Sequence, residues 1–246
     1  MTLFLHRFDP DLRAAATWFH AERLAHGEQD DDGYAWHALL TAIFGAGHAP
    51  KPFRVLARRG RPPQLLAYAM HDAATLRAQA AAFADPRAHA ALGVDAMAAK
   101  PMPDFAAGRR LGFSLRVRPT IRRDREGDRR KTAELDVAIA SLGPRPHDPA
   151  ARADVYLAWI RRKLAEAGTA VETLRLDGVQ GDAAIRRGRP DEAGVRRLCR
   201  VPGHSVTAAG TVRVEDAGRF ANALARGIGR HRAFGYGMLL LSPPEA

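Results

Sequence analysis

The clearest pattern in the chain is an alternation of apolar and polar residues over 111–121. One face would carry Leu111, Phe113, Leu115, Val117, Pro119 and Ile121, and the other Gly112, Ser114, Arg116, Arg118 and Thr120, with Arg122 continuing it. A period of two is typical of a half-buried β-strand. We therefore expect one strand over 111–121 that presents its arginines to solvent.

The first half of the chain shows weaker patterns in the order β-α-β-β-α-β. The expected elements are a strand over 3–8, helical runs over 11–26 and 34–44 around an acidic loop at 27–33, strands over 53–58 and 64–70, a helix over 72–83 with Asp72 as N-cap, and a strand within 92–102.

The second half repeats this order after a linker at 101–108. The strand over 111–121 is followed by a charged loop at 122–131, a helix over 148–167, strands over 171–176 and 198–214 with an interruption at Pro202-Gly203, a helix over 216–226 and a strand over 236–241. The doubled order predicts an α+β protein of two tandem ferredoxin-like (RRM-like, βαββαβ) domains, 1–105 and 106–246. One larger α+β domain is the alternative.

A glycine-rich segment stands between the last predicted helix and the last predicted strand. Its glycines are Gly227, Gly229, Gly235 and Gly237, and its cations are Arg226, Arg230 and Arg232. Glycines permit positive φ angles and close backbone approach to a ligand, and arginines beside free N–H groups suit phosphate. Because a dinucleotide fingerprint needs strand, glycines and helix in the opposite order, this is not a Rossmann turn. A phosphate site and a plain glycine-rich turn both remain open.

The net charge of +11 is unevenly placed along the chain. Residues 1–105 carry 11 Lys or Arg and 11 Asp or Glu, whereas residues 106–246 carry 27 and 16. A basic second half indicates a polyanionic partner. Only four of the 38 cations are lysine, and arginine suits phosphate, although a GC-rich genome would also favour arginine.

Cysteine content and hydropathy limit the cellular context. Cys199 is the only cysteine, so an intramolecular disulfide is impossible. No apolar run approaches the roughly 20 residues of a membrane-spanning helix, and the N-terminus lacks the features of a signal peptide. We expect a cytoplasmic protein with no membrane partner.

His37 is the histidine with the most specific setting. Helical spacing places it at the edge of the apolar stripe of residues 34–44, with Tyr34 one turn earlier on the same polar face. An imidazole exchanges protons near neutral pH, so these residues could act in acid–base catalysis. A solvated surface histidine is the alternative.

RNA cleavage is a reaction for which such a histidine suffices. RNA supplies its own nucleophile, the 2′-OH, so the enzyme needs a base, an acid and a cation near the phosphate. The sequence shows no zinc-type His/Cys spacing, and the acidic run 30–32 reads as a solvated loop, so we expect no metal and no cofactor. Lys131 is a candidate for charge stabilisation and His231 for RNA contact, although both could be ordinary surface residues.

Three blocks of the chain together resemble the CasE family of CRISPR repeat-processing endoribonucleases of type I-E systems. They are Asp-Gly-Tyr-Ala-Trp-His at 32–37 with Ala-Pro-Lys-Pro-Phe at 49–53, Leu-Gly-Phe-Ser-Leu-Arg-Val-Arg-Pro at 111–119 with the basic segment that ends at Lys131, and the glycine-rich segment 227–237. The match covers most of the chain. Arg118 departs from the family, which often has asparagine there.

The resemblance implies a fold, an activity and partners. It implies two ferredoxin-like domains and metal-independent cleavage of precursor CRISPR RNA at the base of the repeat stem-loop, leaving a 2′,3′-cyclic phosphate. The protein would stay on the crRNA hairpin as a subunit of the Cascade complex and would contact other Cascade subunits, especially a backbone subunit.

The resemblance also assigns residues. His37 matches the general acid/base, Tyr34 the tyrosine that orients the reacting groups, and Lys131 lies in the basic segment that meets the hairpin. The residues expected to bind RNA are Arg116, Arg118, Arg122, Arg123, Arg129, Arg130, Gly227, Gly229, Arg230, His231, Arg232, Gly235 and Gly237.

Two other functions are alternatives to cleavage. A non-catalytic RNA-binding subunit of a CRISPR effector complex would explain the charge equally well. A nucleotide-dependent metabolic enzyme is disfavoured, because the helix–glycine–strand order is wrong for dinucleotide binding.

Overall fold

The computed structural model describes residues 2–24, 30–58, 60–125, 128–144, 148–187 and 198–244, with the side chains of 30, 124, 125, 128–133, 186, 187 and 198 outside the description. The helices are α1 Leu12–Ala21, α2 Gly33–His48, α3 Ala73–Phe83, α4 Pro86–Leu92, α5 Val137–Leu142, α6 Pro149–Glu166 and α7 Ala217–Arg226. The strands are β1 Phe4–Phe8, β2 Asp30–Asp31, β3 Phe53–Arg58, β4 Arg61–Ala69, β5 Ala98–Pro101, β6 Arg110–Val117, β7 Thr120–Arg125, β8 Asp128–Asp136, β9 Thr169–Arg187, β10 Leu198–Val214 and β11 Leu239–Ser242.

The first sheet has the strand order β3-β4-β1-β5, and every neighbouring pair is antiparallel. In sequence order this is 2-3-1-4, the arrangement that a βαββαβ chain adopts when each helix crosses back over the sheet. The first predicted ferredoxin-like unit is therefore confirmed.

The second sheet repeats this arrangement as β11-β6-β10-β9 and gains β2 at its edge. The two residues of β2, which precede α2, pair in parallel with Ala183 and Ala184 of β9. The acidic segment before α2, expected to be a loop, is thus tied to the sheet of the other half.

Two apolar cores underlie the two sheets, and each receives a residue from the other half of the chain. Ile185 of β9 belongs to the first core, and Phe234 packs against it. Tyr68 of β4 belongs to the second core, where its hydroxyl donates a hydrogen bond to the carbonyl of Leu239 at 3.0 Å. The halves therefore share an interface of apolar contacts.

The expected single strand over 111–121 is wrong in its extent. β6 ends at Val117 and β7 begins at Thr120, because Pro119 lacks a backbone N–H and cannot continue the ladder. The expected charged loop at 122–131 is instead part of a two-stranded ribbon formed by β7 and β8. An alternation of apolar and polar residues arises where one face of a strand is buried. A two-stranded ribbon does not require such a face, so its sequence pattern is typical of a loop.

The interruption expected at Pro202-Gly203 is absent, since both residues pair with β9 inside β10. A Cβ on Gly203 would lie 2.3 Å from Nη2 of Arg118, so glycine leaves space for that guanidinium. The helices α4 and α5 were not predicted; both are short. Asp72, Asp148 and Asp216 accept hydrogen bonds from backbone N–H groups at the starts of α3, α6 and α7, as capping predicts.

Candidate functional site

His37 lies half-buried on α2 among aromatic rings from both ends of the chain. Its ring centroid is 6.4 Å from that of Tyr34 and 5.4 Å from that of Phe234, which it meets edge-on. The rings of Tyr34 and Phe234 are 5.8 Å apart. The structure thus brings together the predicted pair and adds Phe234, which sequence reasoning did not single out.

The prediction that Tyr34 lies on a polar face of α2 is wrong. Tyr34 is 9% exposed and belongs to the first core. Helical spacing correctly placed it one turn from His37, but Phe234 covers this side of the helix from a segment 200 residues away in the sequence.

The start of α2 touches the glycine-rich segment directly. A Cβ on Gly33 would lie 2.1 Å from the carbonyl oxygen of Phe234, so only glycine permits this approach. The Gly33 N–H donates a hydrogen bond to Oδ1 of Asp31 at 2.9 Å. These contacts set the position of His37 relative to the segment 227–237.

The local electrostatics favour a neutral His37. Burial lowers the pKa of His37 below its ordinary value, and the positive charge of Lys51 lowers it further. A neutral imidazole can accept a proton at physiological pH. Lys51 is exposed in the segment between α2 and β3, and sequence reasoning did not treat it as a site residue, although it stands inside the Ala-Pro-Lys-Pro-Phe block.

The glycine-rich segment forms a closed loop. The N–H of Ile228 donates to the carbonyl of Gly237 at 2.8 Å, and the N–H of Gly237 donates to the carbonyl of Arg116 on β6 at 2.7 Å. Positive φ angles occur at Gly227, Gly229, Gly235 and Gly237. The sequence prediction that these glycines serve unusual backbone conformations is therefore confirmed.

Glu134 at the end of β8 fastens this loop from inside. Its Oε1 accepts hydrogen bonds from Nε2 of His231 at 2.8 Å, Nε of Arg230 at 2.9 Å and Oγ1 of Thr120 at 2.8 Å. Burial alone would raise the pKa of Glu134, but the hydrogen bonds and charges of these partners lower it to about 2. The side chain of His231 is only 5% exposed, and its predicted contact with RNA stays a prediction.

Arg116 and Arg118 are not presented to solvent as predicted. Nη2 of Arg116 lies 2.9 Å from Asp31 and 3.3 Å from Asp182, and the guanidinium stacks 4.6 Å from the ring centre of Tyr236. Arg118 is 2% exposed and lies 3.7 Å from the second oxygen of Asp182. The alternating pattern correctly predicts that both arginines point away from the apolar face of the strand. It does not predict that the carboxylates of Asp31 and Asp182 cover the opposite face.

Several cations line a groove of about 550 Å³. It lies between β7, α6, α7 and the glycine-rich loop, and its cations include Arg122, Arg162, Lys163, Arg226 and Arg232. Arg123, next to Arg122, is also exposed. Arg129, Arg130 and Lys131 lie on β8, but their side chains are outside the described residues, so their predicted contacts stay predictions.

The described residues contain neither a cluster of metal ligands nor a membrane-spanning helix. Among the residues with described positions, no three His, Cys, Asp or Glu side chains converge as a metal site would require. No helix in the described ranges is long and apolar enough to cross a bilayer.

A family model described as CRISPR associated protein matches residues 3–243. The chain belongs to this CRISPR-associated protein family. The family resemblance predicted from the sequence is thereby confirmed, and the match spans both sheets and the glycine-rich loop. No curated protein sequence matches the chain.

Three solved structures of CRISPR proteins share the fold. The CRISPR endoribonuclease Cse3 bound to 19 nt RNA has 20% identity and a TM-score of 0.64, with coverage of 99% of this chain and 100% of that one. Cse3 of Thermus thermophilus, bound to an RNA representing a pre-cleavage complex, has 18% identity, a TM-score of 0.63 and coverage of 99% and 100%. A chain of a CRISPR RNA-guided surveillance complex has 19% identity, a TM-score of 0.52 and coverage of 98% and 99%.

Proposed function

We propose that this protein is a metal-independent endoribonuclease that cleaves precursor CRISPR RNA at the base of the repeat stem-loop. The observation that carries the proposal is the setting of His37, which is half-buried with a lowered pKa, beside Lys51 and the glycine-rich loop. The Cse3 structures with RNA, one of them a pre-cleavage complex, support the substrate class.

In the proposed reaction His37 accepts the proton of the 2′-OH next to the scissile phosphate. The 2′-oxygen attacks phosphorus, the bond to the 5′-oxygen breaks, and that oxygen takes a proton from water, to which the His37 imidazolium then returns the proton it accepted. The products are a 2′,3′-cyclic phosphate and a 5′-hydroxyl. Lys51 stabilises the charge that develops on the phosphate, and Tyr34 holds the imidazole in place. Lys131 remains a second candidate for charge stabilisation.

The stem of the RNA hairpin would lie on the basic surface of the second half. Duplex RNA is recognised mainly through its phosphates and its shape, and Arg122, Arg123, Arg226 and Arg232 are exposed there. We propose that the protein remains on the hairpin as a subunit of a Cascade complex, in keeping with its likeness to a chain of a surveillance complex.

The test is cleavage of a repeat hairpin RNA by purified protein in EDTA, with the fragment ends analysed for a cyclic phosphate. His37→Ala should lower the single-turnover rate by at least about a hundredfold, in the range of general acid–base catalysis, while the Kd for RNA stays within about threefold. His20→Ala, an exposed histidine on α1, is the control. If wild type binds the hairpin without cutting it, the protein is the non-catalytic RNA-binding subunit instead.

A further inference from the structure

A cleft of about 820 Å³ lies beside His37 and has no assigned role. One wall is the segment 47–52 at the end of α2, the second is the segment 68–71 at the end of β4, and the third is the glycine-rich loop from Gly229 to Phe234. A volume of this size accommodates a drug-sized organic molecule, and a nucleotide is comparable. The cleft therefore has room for a part of the substrate away from the scissile bond.

Two histidines form an aromatic surface in this cleft. The rings of His48 and His71 are 4.5 Å apart at an angle of 38°, and both residues line the cleft. The backbone of His71 is fixed because its carbonyl lies 2.9 Å from Nε2 of the buried His6. Flat rings at a fixed position suit the stacking of an unpaired base.

Cations from two walls line this cleft. The lining residues include Lys51, Arg226, Arg230 and Arg232, and among the residues that the structure describes no aspartate or glutamate lines the cleft. Arg230 is engaged by Glu134 behind the loop, whereas Arg226 and Arg232 are exposed on the cleft side. A concave surface of this charge attracts an anion such as a backbone phosphate.

The cleft adjoins the candidate catalytic group through two of its lining residues, although His37 itself does not line it. Phe234 lines the cleft and also meets the ring of His37 edge-on at 5.4 Å. Lys51 lines it too, and its charge acts on His37. A strand that places its scissile phosphate at His37 can therefore place an adjoining nucleotide against the imidazole pair.

We propose that this cleft binds an unpaired ribonucleotide adjacent to the scissile phosphate, with its base on His48 and His71 and its phosphate on Arg226 and Arg232. An unpaired base is required because stacking faces are covered inside a duplex. This inference rests on the proposed function, since it uses His37 to place the scissile bond.

The test compares the affinities of hairpin RNAs that carry a 2′-deoxy sugar at the cleavage position, so that binding is measured without cleavage. One RNA ends at the stem, two others extend by two unpaired nucleotides on the 5′ or the 3′ side, and matched versions have abasic extensions. For wild type, one extension should strengthen binding roughly tenfold, and the abasic version should lose this gain.

The double variant His48→Ala/His71→Ala should lose the gain from the extension and still bind the bare hairpin as wild type does. His71→Phe should keep most of the gain, because it preserves a flat ring. His20→Ala is the surface control, and thermal unfolding midpoints check that each variant folds. The proposal is overturned if the double variant distinguishes intact from abasic extensions as well as wild type does.

The outcomes separate this proposal from the proposed function. If wild type does not cut an all-ribose hairpin but the gain in affinity from the extension depends on His48 and His71, the proposed cleavage activity is contradicted and the proposed binding site is supported. If cleavage depends on His37 but the gain in affinity from the extension is the same without His48 and His71, the proposed nuclease activity is supported. The cleft then has no role in RNA binding.

Discussion

Arg116 and Asp31 join the two halves of the protein through an ion pair with Nη2 and Oδ2 2.9 Å apart. The same carboxylate accepts the N–H of Gly33 at the start of α2 through its other oxygen. Asp182 approaches the same guanidinium and accepts a hydrogen bond from the hydroxyl of Tyr236 at 3.1 Å. The helix that carries His37 is thus fixed to the sheet that carries the glycine-rich loop.

Replacing Arg116 with methionine should destabilise the protein strongly. Asp31 and Asp182, with side chains 9% and 4% exposed, would lose a counter-charge in a buried setting, so we expect the free energy of unfolding to fall by about 3 kcal/mol or more. Urea denaturation at pH 7 measures it. Arg110→Met on the same strand breaks an exposed pair with Glu172 and should cost at most about 1 kcal/mol. Equal losses in the two variants would contradict the role of the buried pair.

Lys51→Met should raise the pKa of His37 toward its ordinary value, since the burial remains but the positive charge is removed. Lys51→Arg keeps the charge and should leave the pKa low. NMR titration of the imidazole protons in RNA-free protein measures this. An unchanged midpoint in Lys51→Met would show that Lys51 does not act on His37.

The lowered pKa of His37 also predicts how stability depends on pH. The unfolded chain binds the proton more tightly than the folded protein, so acidification below about pH 6.5 should lower the free energy of unfolding. His6 contributes in the same direction, because burial lowers its pKa as well. Lys51→Met should weaken this dependence.

Glu134→Gln should loosen the glycine-rich loop from the β7–β8 ribbon. The pKa of Glu134 is lowered from 4.5 to about 2, which corresponds to about 3 kcal/mol of stability at neutral pH. This contribution is present above pH 4.5 and is lost as the pH falls through 2. Wild type and variant should therefore differ most in urea denaturation at pH 7 and converge toward pH 2. Glu166→Gln, which removes an exposed carboxylate on α6, should cost less than about 1 kcal/mol; a Glu134→Gln variant with the same small loss would contradict the role of Glu134.

Gly237→Ala should disrupt the closed loop. Gly237 has a φ of +77°, and a Cβ there would lie 2.3 Å from the carbonyl oxygen of Ile228. We expect a loss of about 2 kcal/mol or more in the free energy of unfolding from backbone strain and this contact, with weaker binding of hairpin RNA. Gly178→Ala on β9, where a Cβ meets nothing within 4 Å, should leave both nearly unchanged. If Gly237→Ala has the same free energy of unfolding and the same RNA affinity as wild type, glycine is not required at position 237.

Local patterns predicted most of the long elements. α6 buries Tyr156, Trp159, Ile160 and Leu164 at helical spacing, and the apolar face of β6 is buried as its alternation indicates. The βαββαβ order could be predicted in both halves because the spacing of apolar residues within each element distinguishes a helix from a strand. The β7–β8 ribbon and β2 were missed because their residues are charged and their pairing depends on distant or exposed backbone.

The candidate site was only partly predictable. His37 and its neighbour Tyr34 follow from helix geometry, and the glycines of the loop follow from residue type. Phe234, Lys51 and Glu134 were missed, because each acts through a contact with a residue remote in the sequence. The burial of the His231 side chain was missed for the same reason, since Glu134 lies 97 positions earlier.

The sequence by itself determined the doubled element order, the basic second half and the histidine on α2, since these depend on residue type and on spacing within a single element. Only the tertiary structure decided which cations face solvent. Arg116 and Arg122 occupy equivalent positions in the alternating pattern, yet Arg122 is exposed while Arg116 is held by a carboxylate 85 residues away. Backbone periodicity fixes the direction of a side chain, whereas the charge opposite it depends on how distant segments pack.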